Sequence, residues 1–320
     1  MKNKFIIIVC GDPKSTFIEI LLKVLNNKKL KKTNLPILLI CSKKIILSEM
    51  KKFKKKLDLK LIKKNLKNLE KNKIYLHDIP IKRNNLTLKE KNNYIRKAFL
   101  VGMDILQKNL GSILINGPLS KKDFFKGDYP GVTEFLAEKT KSKNVAMLIY
   151  NPYLSVCPIT THMPINKVSR NIKKKIIISK LTQLDFFYKK YLGYKPKIGV
   201  TGLNPHCETF EGTNVEKKEI IPALKILKKR NIKVKGPFSA DTVFIKSNRI
   251  KFDVIVGMYH DQVLAPMKTI FNFKAINITI GLPFIRITPD HGPNFEMYGM
   301  NKSKIDSIVE AFKFIKHHVK

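Results

Sequence analysis

The chain has 320 residues, of which 43% are hydrophobic. This is enough for a substantial core and excludes an intrinsically disordered protein. No apolar run approaches the roughly 20 residues that cross a bilayer, so we expect a cytoplasmic protein without membrane contact. The four cysteines form no C-x-x-C pair and are expected to be reduced thiols in or near the core.

The charge is strongly basic, with 63 Lys and Arg against 24 Asp and Glu and a formal net charge of +39. A nucleic-acid-binding protein is one interpretation of this charge. However, the excess is mostly lysine spread along the chain, and no aromatic and basic residues alternate as in a base-stacking surface. We therefore attribute the charge to composition and expect no specific nucleic-acid partner. A basic surface can still attract phosphorylated small molecules.

Short β-branched runs alternate with longer helical patterns along the chain. This alternation predicts an α/β fold of parallel strands joined by crossover helices. The predicted strands are Phe5–Cys10, Leu35–Cys41, Ser112–Ile115, Val145–Tyr150, Val156–Thr161, Lys197–Leu203 and Phe252–Met258. Residues 51–73 are rich in Lys, Asn and Leu and are predicted to form a solvated helix with a loop.

Two helices have recognisable starts. Thr87 and Glu90 have the spacing of a capping box, followed by apolar residues at helical intervals. Ser303 and Asp306 have a similar spacing before an apolar stripe near the end of the chain. We therefore predict that Ser303 caps the last helix.

Three histidines, His162, His206 and His260, each follow a predicted strand. Because the carboxyl ends of parallel strands line the ligand crevice of an open sheet, these imidazoles are expected to lie near one another. A catalytic metal site typically has three protein ligands and one open position. The alternative is that they are ordinary polar residues at strand ends, and the spacing alone does not decide between the two.

A second group of residues suits anion binding. Arg286 follows an apolar run in a chain that has few arginines, and a guanidinium can hold a phosphate or carboxylate by two hydrogen bonds. Lys268 and Asn277 precede it, although one lysine in so lysine-rich a chain is most simply a surface residue. No two glycines are separated by one residue, so the G-x-G-x-x-G fingerprint of a Rossmann dinucleotide site is absent.

Taken together, the motifs resemble those of the 4-hydroxythreonine-4-phosphate dehydrogenase family, and the likeness runs in order over nearly the whole chain. The matching segments are Gly11–Pro13, Asn116–Lys121, Thr133–Leu136, Thr161–Pro164, Gly202–His206, Ala240–Thr242, Met258–Gln262 and Asn277–Gly292. The last segment is highly specific, and so are the segments that contain His206 and His260.

The resemblance implies a two-lobed α/β/α fold related to isocitrate and isopropylmalate dehydrogenases, which bind NAD without a Rossmann fingerprint. We expect a first lobe of residues 1–130 completed by 287–320, and a second lobe of residues 131–286 that carries most metal and substrate residues. The resemblance also implies a homodimer whose active site is completed across the subunit interface. The implied cofactors are NAD and a divalent metal such as zinc, cobalt or magnesium.

The family's functional positions carry over to individual residues of this sequence. The implied metal ligands are His162, His206 and His260, and the implied substrate-binding positions are Val132, Thr133, Lys268, Asn277 and Arg286. The implied catalytic residues are Asp261 and Lys268, either of which could be the general base, and the implied cofactor-binding residues are Asp241, Asp290, His291 and Gly292.

The implied reaction is the oxidation of 4-phosphooxy-threonine by NAD to a β-keto acid. This acid loses carbon dioxide to give 3-amino-2-oxopropyl phosphate, a step in pyridoxine 5'-phosphate biosynthesis. Val132 departs from the family, because it occupies a position where a histidine contacts the substrate. Two alternatives remain open: a paralogue acting on a threonate or erythronate phosphate, and a decayed chain that binds metal without catalysis.

Overall fold

A computed structural model describes residues 4–27, 33–62, 66, 68–83, 85–108, 112–119, 129, 131–208, 214–289 and 294–319. The chain divides into two compact units. The first unit comprises Met1–Thr140 and Leu282–Lys320, and the second comprises Lys141–Gly281. Among the described residues, no helix combines the length and apolarity needed to cross a membrane.

The first unit contains a parallel sheet. Its strands are β1 (Ile6–Val9), β2 (Ile37–Cys41), β3 (Leu59–Leu61), β4 (Ile74–Asp78), β5 (Ile113–Asn116) and β12 (Ile285–Pro289), in the order β3-β4-β2-β1-β5-β12. Its helices are α1 (Phe17–Asn26), α2 (Lys43–Lys52), α3 (Leu88–Lys108), α4 (Val132–Lys139) and α11 (Asp306–His318). All residues of β1, β2 and β5 are buried, as expected for central strands covered on both faces.

The second unit contains a mixed sheet. Its strands are β6 (Ala146–Tyr150), β7 (Ser155–Pro158), β8 (Ile198–Thr201), β9 (Val234–Phe238), β10 (Val254–Gly257) and β11 (Ile276–Ile280), in the order β11-β6-β7-β10-β8-β9. Its helices are α5 (Ile165–Asn171), α6 (Lys174–Phe187), α7 (Ile221–Lys229), α8 (Ala240–Val243), α9 (Lys246–Arg249) and α10 (His260–Phe271). Helix α10 packs on β7 and β10, and α6 packs on α7.

The α/β class and all seven predicted strands are confirmed. The expectation of parallel strands throughout is wrong for β6, which is antiparallel to both β7 and β11. Only residues 151–154 join β6 to β7, whereas a parallel crossover needs a dozen residues or more. The helix expected over 51–73 is also wrong, because α2 ends at Lys52 and β3 follows at Leu59.

The two predicted helix caps have different outcomes. The Thr87 box is confirmed: the backbone N–H of Glu90 donates to Oγ1 of Thr87 across 3.3 Å, and the Thr87 backbone N–H donates to Oε2 of Glu90 across 2.8 Å. The Ser303 cap is wrong, because Ile305 is the N-cap of α11. Ser303 instead donates its backbone N–H to the Glu19 carboxylate across 2.9 Å.

The four cysteines are free thiols, as predicted. Three are buried: Cys10 directly follows β1, Cys41 ends the neighbouring strand β2, and Cys157 lies in β7. Burial raises the pKa of Cys157 to about 11, so this thiol is protonated at neutral pH.

Two glycines allow the loops after β1 and β5 to touch. A Cβ on Gly117 would lie 2.4 Å from the carbonyl oxygen of Cys10 and 2.5 Å from the ring of Phe17. A Cβ on Gly11 would lie 2.6 Å from the carbonyl oxygen of Pro118. The close approach sets the position of the carboxyl end of β5, where Asn116 lies.

We expect Gly117→Ala to lower the free energy of unfolding by about 1–3 kcal/mol, because the added methyl group must displace backbone that is already packed. Urea denaturation of both proteins measures the change. An unchanged transition midpoint would show that the two loops can separate without cost.

Candidate active site

Two of the three predicted metal ligands are adjacent in the second unit. Strands β7 and β10 are parallel neighbours, with Pro158 opposite Gly257, so their carboxyl ends lie side by side. His162 follows β7 and His260 begins α10, and their ring centroids are 5.8 Å apart. Two imidazoles bound to one zinc ion at about 2.0–2.1 Å have centroids roughly 5 Å apart, so this spacing fits a shared ion.

The ring of His260 is oriented by its neighbour. Its Nδ1 lies 2.7 Å from Oδ1 of Asp261, whose side chain is 84% exposed. When Nδ1 carries the proton and donates to this carboxylate, the lone pair of Nε2 remains for a metal. A carboxylate in this role is common around metal-binding histidines.

His206 lies in a different setting. It occupies the short helical turn Pro205–Cys207 after β8, with a left-handed φ of 52°. A hydrogen bond from the Ser239 side chain, with a smaller contribution from His206, lowers the pKa of Asp241. The turn packs on β9 and α8. In the part of one chain that the structure describes, no three His, Cys, Asp or Glu side chains are grouped to hold a metal. The three imidazoles therefore do not form one cluster within a single chain.

Two side chains without an assigned role hold these loops in place. Glu216 is 1% exposed, and its Oε1 accepts the backbone N–H groups of Leu203 and Asn204 across 2.9 and 2.8 Å. Gln262 accepts the Met258 backbone N–H across 2.7 Å and donates to the carbonyl oxygen of Gly202 across 2.9 Å. The two residues thereby fix the segments that carry His206 and His260.

Two predicted substrate residues also lie in the second unit. Lys268 is in α10, with Nζ 5.1 Å from the ring centroid of Phe273. Asn277 is in β11, and its Oδ1 is buried without a hydrogen-bond partner in the part of the structure described. A buried oxygen without a hydrogen-bond partner is uncommon in a folded protein, so this oxygen is suited to accept a hydrogen bond from a bound ligand.

The predicted anion-binding arginine is in the first unit. Arg286 is 5% exposed; its Nε donates to Oδ1 of Asn116 across 2.8 Å and its Nη1 donates to Oγ1 of Thr133 across 2.9 Å. Burial lowers the pKa of Arg286 to about 10, opposed by the Glu134 carboxylate, so the guanidinium is cationic at neutral pH. A buried cation that is held in place in this way suits an anionic ligand.

The remaining predicted residues are one substrate position in the first unit and three cofactor positions. Val132 is 8% exposed and begins α4, immediately before Thr133. The predicted cofactor residues Asp290, His291 and Gly292 lie outside the described residues. Asn116, Glu216 and Gln262 were not assigned roles from the sequence, although Asn116 and Gln262 fall within family-like motifs. The motifs therefore indicated the segments that contain Asn116 and Gln262, but they did not predict the contacts of these two side chains.

Solved structures place the fold among the isocitrate dehydrogenase-like α/β proteins. Isocitrate dehydrogenase from Methylococcus capsulatus matches 98% of this chain and 84% of its own with a TM-score of 0.54 at 12% identity, a likeness of fold alone. A 4-hydroxythreonine-4-phosphate dehydrogenase structure from Klebsiella pneumoniae matches 99% of this chain and 100% of its own, with a TM-score of 0.83 at 25% identity.

The sequence comparisons give the family. The model of the pyridoxal phosphate biosynthetic protein PdxA matches residues 32–315, so the chain belongs to the PdxA family. The chain is 38% identical to the 4-hydroxythreonine-4-phosphate dehydrogenase of Sulfurihydrogenibium sp. (strain YO3AOP1), over 95% of each. It is 34% identical to the D-threonate 4-phosphate dehydrogenase of Pectobacterium atrosepticum, over 61% of each.

Proposed function

We propose that this protein is an NAD-dependent 4-hydroxythreonine-4-phosphate dehydrogenase. The observation that carries the proposal is Arg286, a buried cation that Asn116 and Thr133 hold in one orientation, in a chain of this family. The neighbouring imidazoles of His162 and His260 support it. The product of oxidation has a ketone β to its carboxylate, and such acids lose carbon dioxide readily. The expected final product is 3-amino-2-oxopropyl phosphate.

The residues of the second unit suit a divalent metal. His162 and His260 would hold it, with Asp261 orienting the His260 ring. A metal at this position would polarise the substrate hydroxyl and supply positive charge where negative charge develops. Two groups of the chain can accept the hydroxyl proton: the Asp261 carboxylate, or Lys268 in its neutral form.

NAD would supply the hydride acceptor. The chain lacks the glycine pattern of a Rossmann turn, so its cofactor site must use other groups. Asp241 is the proposed cofactor residue within the described structure, and the hydrogen bond from Ser239 favours its ionised form. A carboxylate of this kind can accept hydrogen bonds from ribose hydroxyl groups.

The third imidazole is proposed to come from a second copy of the chain. His162 and His260 form a pair at the ends of β7 and β10, whereas the turn carrying His206 packs on β9 and α8. A homodimer in which each copy gives His206 to the other would complete both sites at once. Such exchange is natural for a two-fold interface, where each contact occurs twice.

Mixed dimers test this shared site. We expect His206→Ala and His260→Ala to be inactive alone but to regain about a quarter of wild-type activity when co-expressed. Half of the dimers are then mixed, and each mixed dimer has one site with neither change. Activity of the co-expressed mixture is the measurement, and the tagged, purified mixed dimer should reach about half of wild-type activity. A mixed dimer as inactive as the parent variants would place all three imidazoles in one chain.

A substrate panel tests the function itself. The relative from Pectobacterium atrosepticum favours a second candidate, a dehydrogenase of D-threonate 4-phosphate, which carries a hydroxyl group in place of the amino group. The purified protein, NAD and a divalent metal are incubated with each phosphorylated hydroxy acid, and NADH absorbance is followed. We expect the highest kcat/KM for 4-phosphooxy-threonine. Turnover with none of the acids would support the decayed, non-catalytic alternative.

Val132 provides a further prediction. A histidine at this position could donate a hydrogen bond to the substrate, and a contact to a charged group contributes about 1.5–3 kcal/mol, or roughly 10- to 150-fold in kcat/KM. We expect low but measurable turnover by the wild type and a higher kcat/KM for Val132→His. Lower activity of Val132→His would mean that this buried position has adapted to valine.

A further inference from the structure

Asn116 is a buried amide at the carboxyl end of β5, with 3% of its surface exposed. Both ends of the amide are engaged. Its Oδ1 accepts the Nε–H of Arg286 across 2.8 Å, and its Nδ2 donates to the carbonyl oxygen of Gly117 across 3.0 Å. If the amide were turned over, its NH₂ group would face the Nε–H group of Arg286, and its oxygen would face the carbonyl oxygen of Gly117. Neither pair can form a hydrogen bond, so the orientation of the amide is fixed.

The strand register brings this amide to the arginine. Strands β5 and β12 are parallel neighbours, with Leu114 opposite Arg286. Asn116 lies two residues beyond Leu114, so its side chain and that of Arg286 are on the same face of the sheet. Gly117, the residue that follows Asn116, closely approaches the backbone of Cys10. The amide therefore belongs to a tightly packed part of the first unit.

The guanidinium is held by two different elements. Asn116 in β5 holds Nε, and Thr133 in α4 holds Nη1 across 2.9 Å. Contacts at two nitrogens fix both the position and the plane of a guanidinium, and the geometry of that plane decides whether it can form two parallel bonds to an anion.

We propose that Asn116 is a positioning residue, which fixes the plane of the Arg286 guanidinium for the phosphate of the substrate. This inference rests on the proposed function, in which Arg286 binds the substrate. Asn116 itself does not take part in the chemical step. Its removal should therefore affect substrate binding and leave the rate of the bound complex largely unchanged.

The test compares Asn116→Ala with Asn151→Ala in the full-length holoenzyme. Asn151 is a matched control in the second unit: it is 5% exposed, follows a strand, and donates to the carbonyl oxygen of Lys274 across 2.6 Å. We expect Asn116→Ala to raise KM about 10-fold with kcat within about twofold, since a bond to a charged group is lost. Asn151→Ala should lower the melting temperature and leave KM unchanged.

A double-mutant cycle separates positioning from general destabilisation. Lysine has no Nε–H group, so in an Arg286→Lys background the Asn116→Ala change should raise KM no further. An equal rise in KM in both backgrounds would overturn the proposal. So would a lower melting temperature of Asn116→Ala without any change in KM.

Inorganic phosphate provides a readout that does not depend on turnover. Titration followed by ³¹P NMR should show saturable binding by the wild type that weakens about 10-fold in Asn116→Ala. If no substrate is oxidised but phosphate binding follows this pattern, the proposed function fails and the role of Asn116 stands. Absence of a saturable phosphate site in the wild type overturns the role of Asn116.

Asn116→Asp is the second variant should the alanine variant not fold. It keeps the shape and the acceptor, but its charge pairs with Arg286 and competes with an incoming anion. Weaker phosphate binding is expected, and an unchanged dissociation constant contradicts the proposal.

Discussion

His260→Ala is expected to remove bound metal and to lower kcat by roughly three orders of magnitude. The change removes the imidazole whose ring centroid lies 5.8 Å from that of His162. It also removes the ring that Asp261 orients. A metal at the reacting group contributes several kcal/mol to the transition state, and each 1.36 kcal/mol corresponds to tenfold in rate. Elemental analysis of the purified protein and steady-state kinetics measure the two effects.

His317→Ala is the matched control, because this exposed imidazole lies in the last turn of α11. It should retain both metal and activity. Stoichiometric metal with full turnover in His260→Ala would remove this residue from the metal site and would leave the histidine pair without a catalytic role.

Arg286→Lys is expected to raise KM for the phosphorylated substrate about 10- to 100-fold, although the charge is kept. Lysine cannot form the planar pair of hydrogen bonds that a guanidinium offers to an anion. It also leaves the buried Oδ1 of Asn116 without its donor, which costs about 1–3 kcal/mol of stability. Steady-state kinetics and urea denaturation of the same preparation separate the two effects.

Arg249→Lys controls for the chemical nature of the change. Arg249 donates to the carbonyl oxygen of Phe244 across 3.1 Å in the second unit, and it is not assigned to the substrate site. Its replacement should leave KM unchanged. If Arg286→Lys is equally silent, Arg286 has a structural role and the substrate phosphate is bound elsewhere.

The sequence predicted seven of the buried strands, and it missed β3, β4, β9, β11 and β12. Strand β9 contains Gly236 and Pro237, which usually exclude a central strand and here lie in an edge strand. Strand β3 has three residues, and β12 contains the polar Arg286. The antiparallel direction of β6 follows from the short connection to β7. The pattern of apolar residues within a strand does not indicate the direction of that strand.

The sequence motifs supplied candidate residues for the site, but they did not supply the contacts between those residues. The motifs identified His162, His260, Thr133 and Arg286, and the structure brings each of these two pairs together. Asn116 was missed because its partner lies 170 residues further along the chain. The role of such a residue follows from strand order, which no local pattern encodes.

The discontinuity of the first unit has a consequence for biosynthesis. Synthesis proceeds from the amino terminus, so all strands of the second unit, which ends at Gly281, are made before β12. Asn116 and Thr133 are therefore present on the nascent chain well before Arg286 reaches them. Until β12 leaves the ribosome, β5 keeps one unpaired edge, and an exposed strand edge can pair with other chains. Arg286 thus joins Asn116 and Thr133 only after the whole of the second unit has been synthesised.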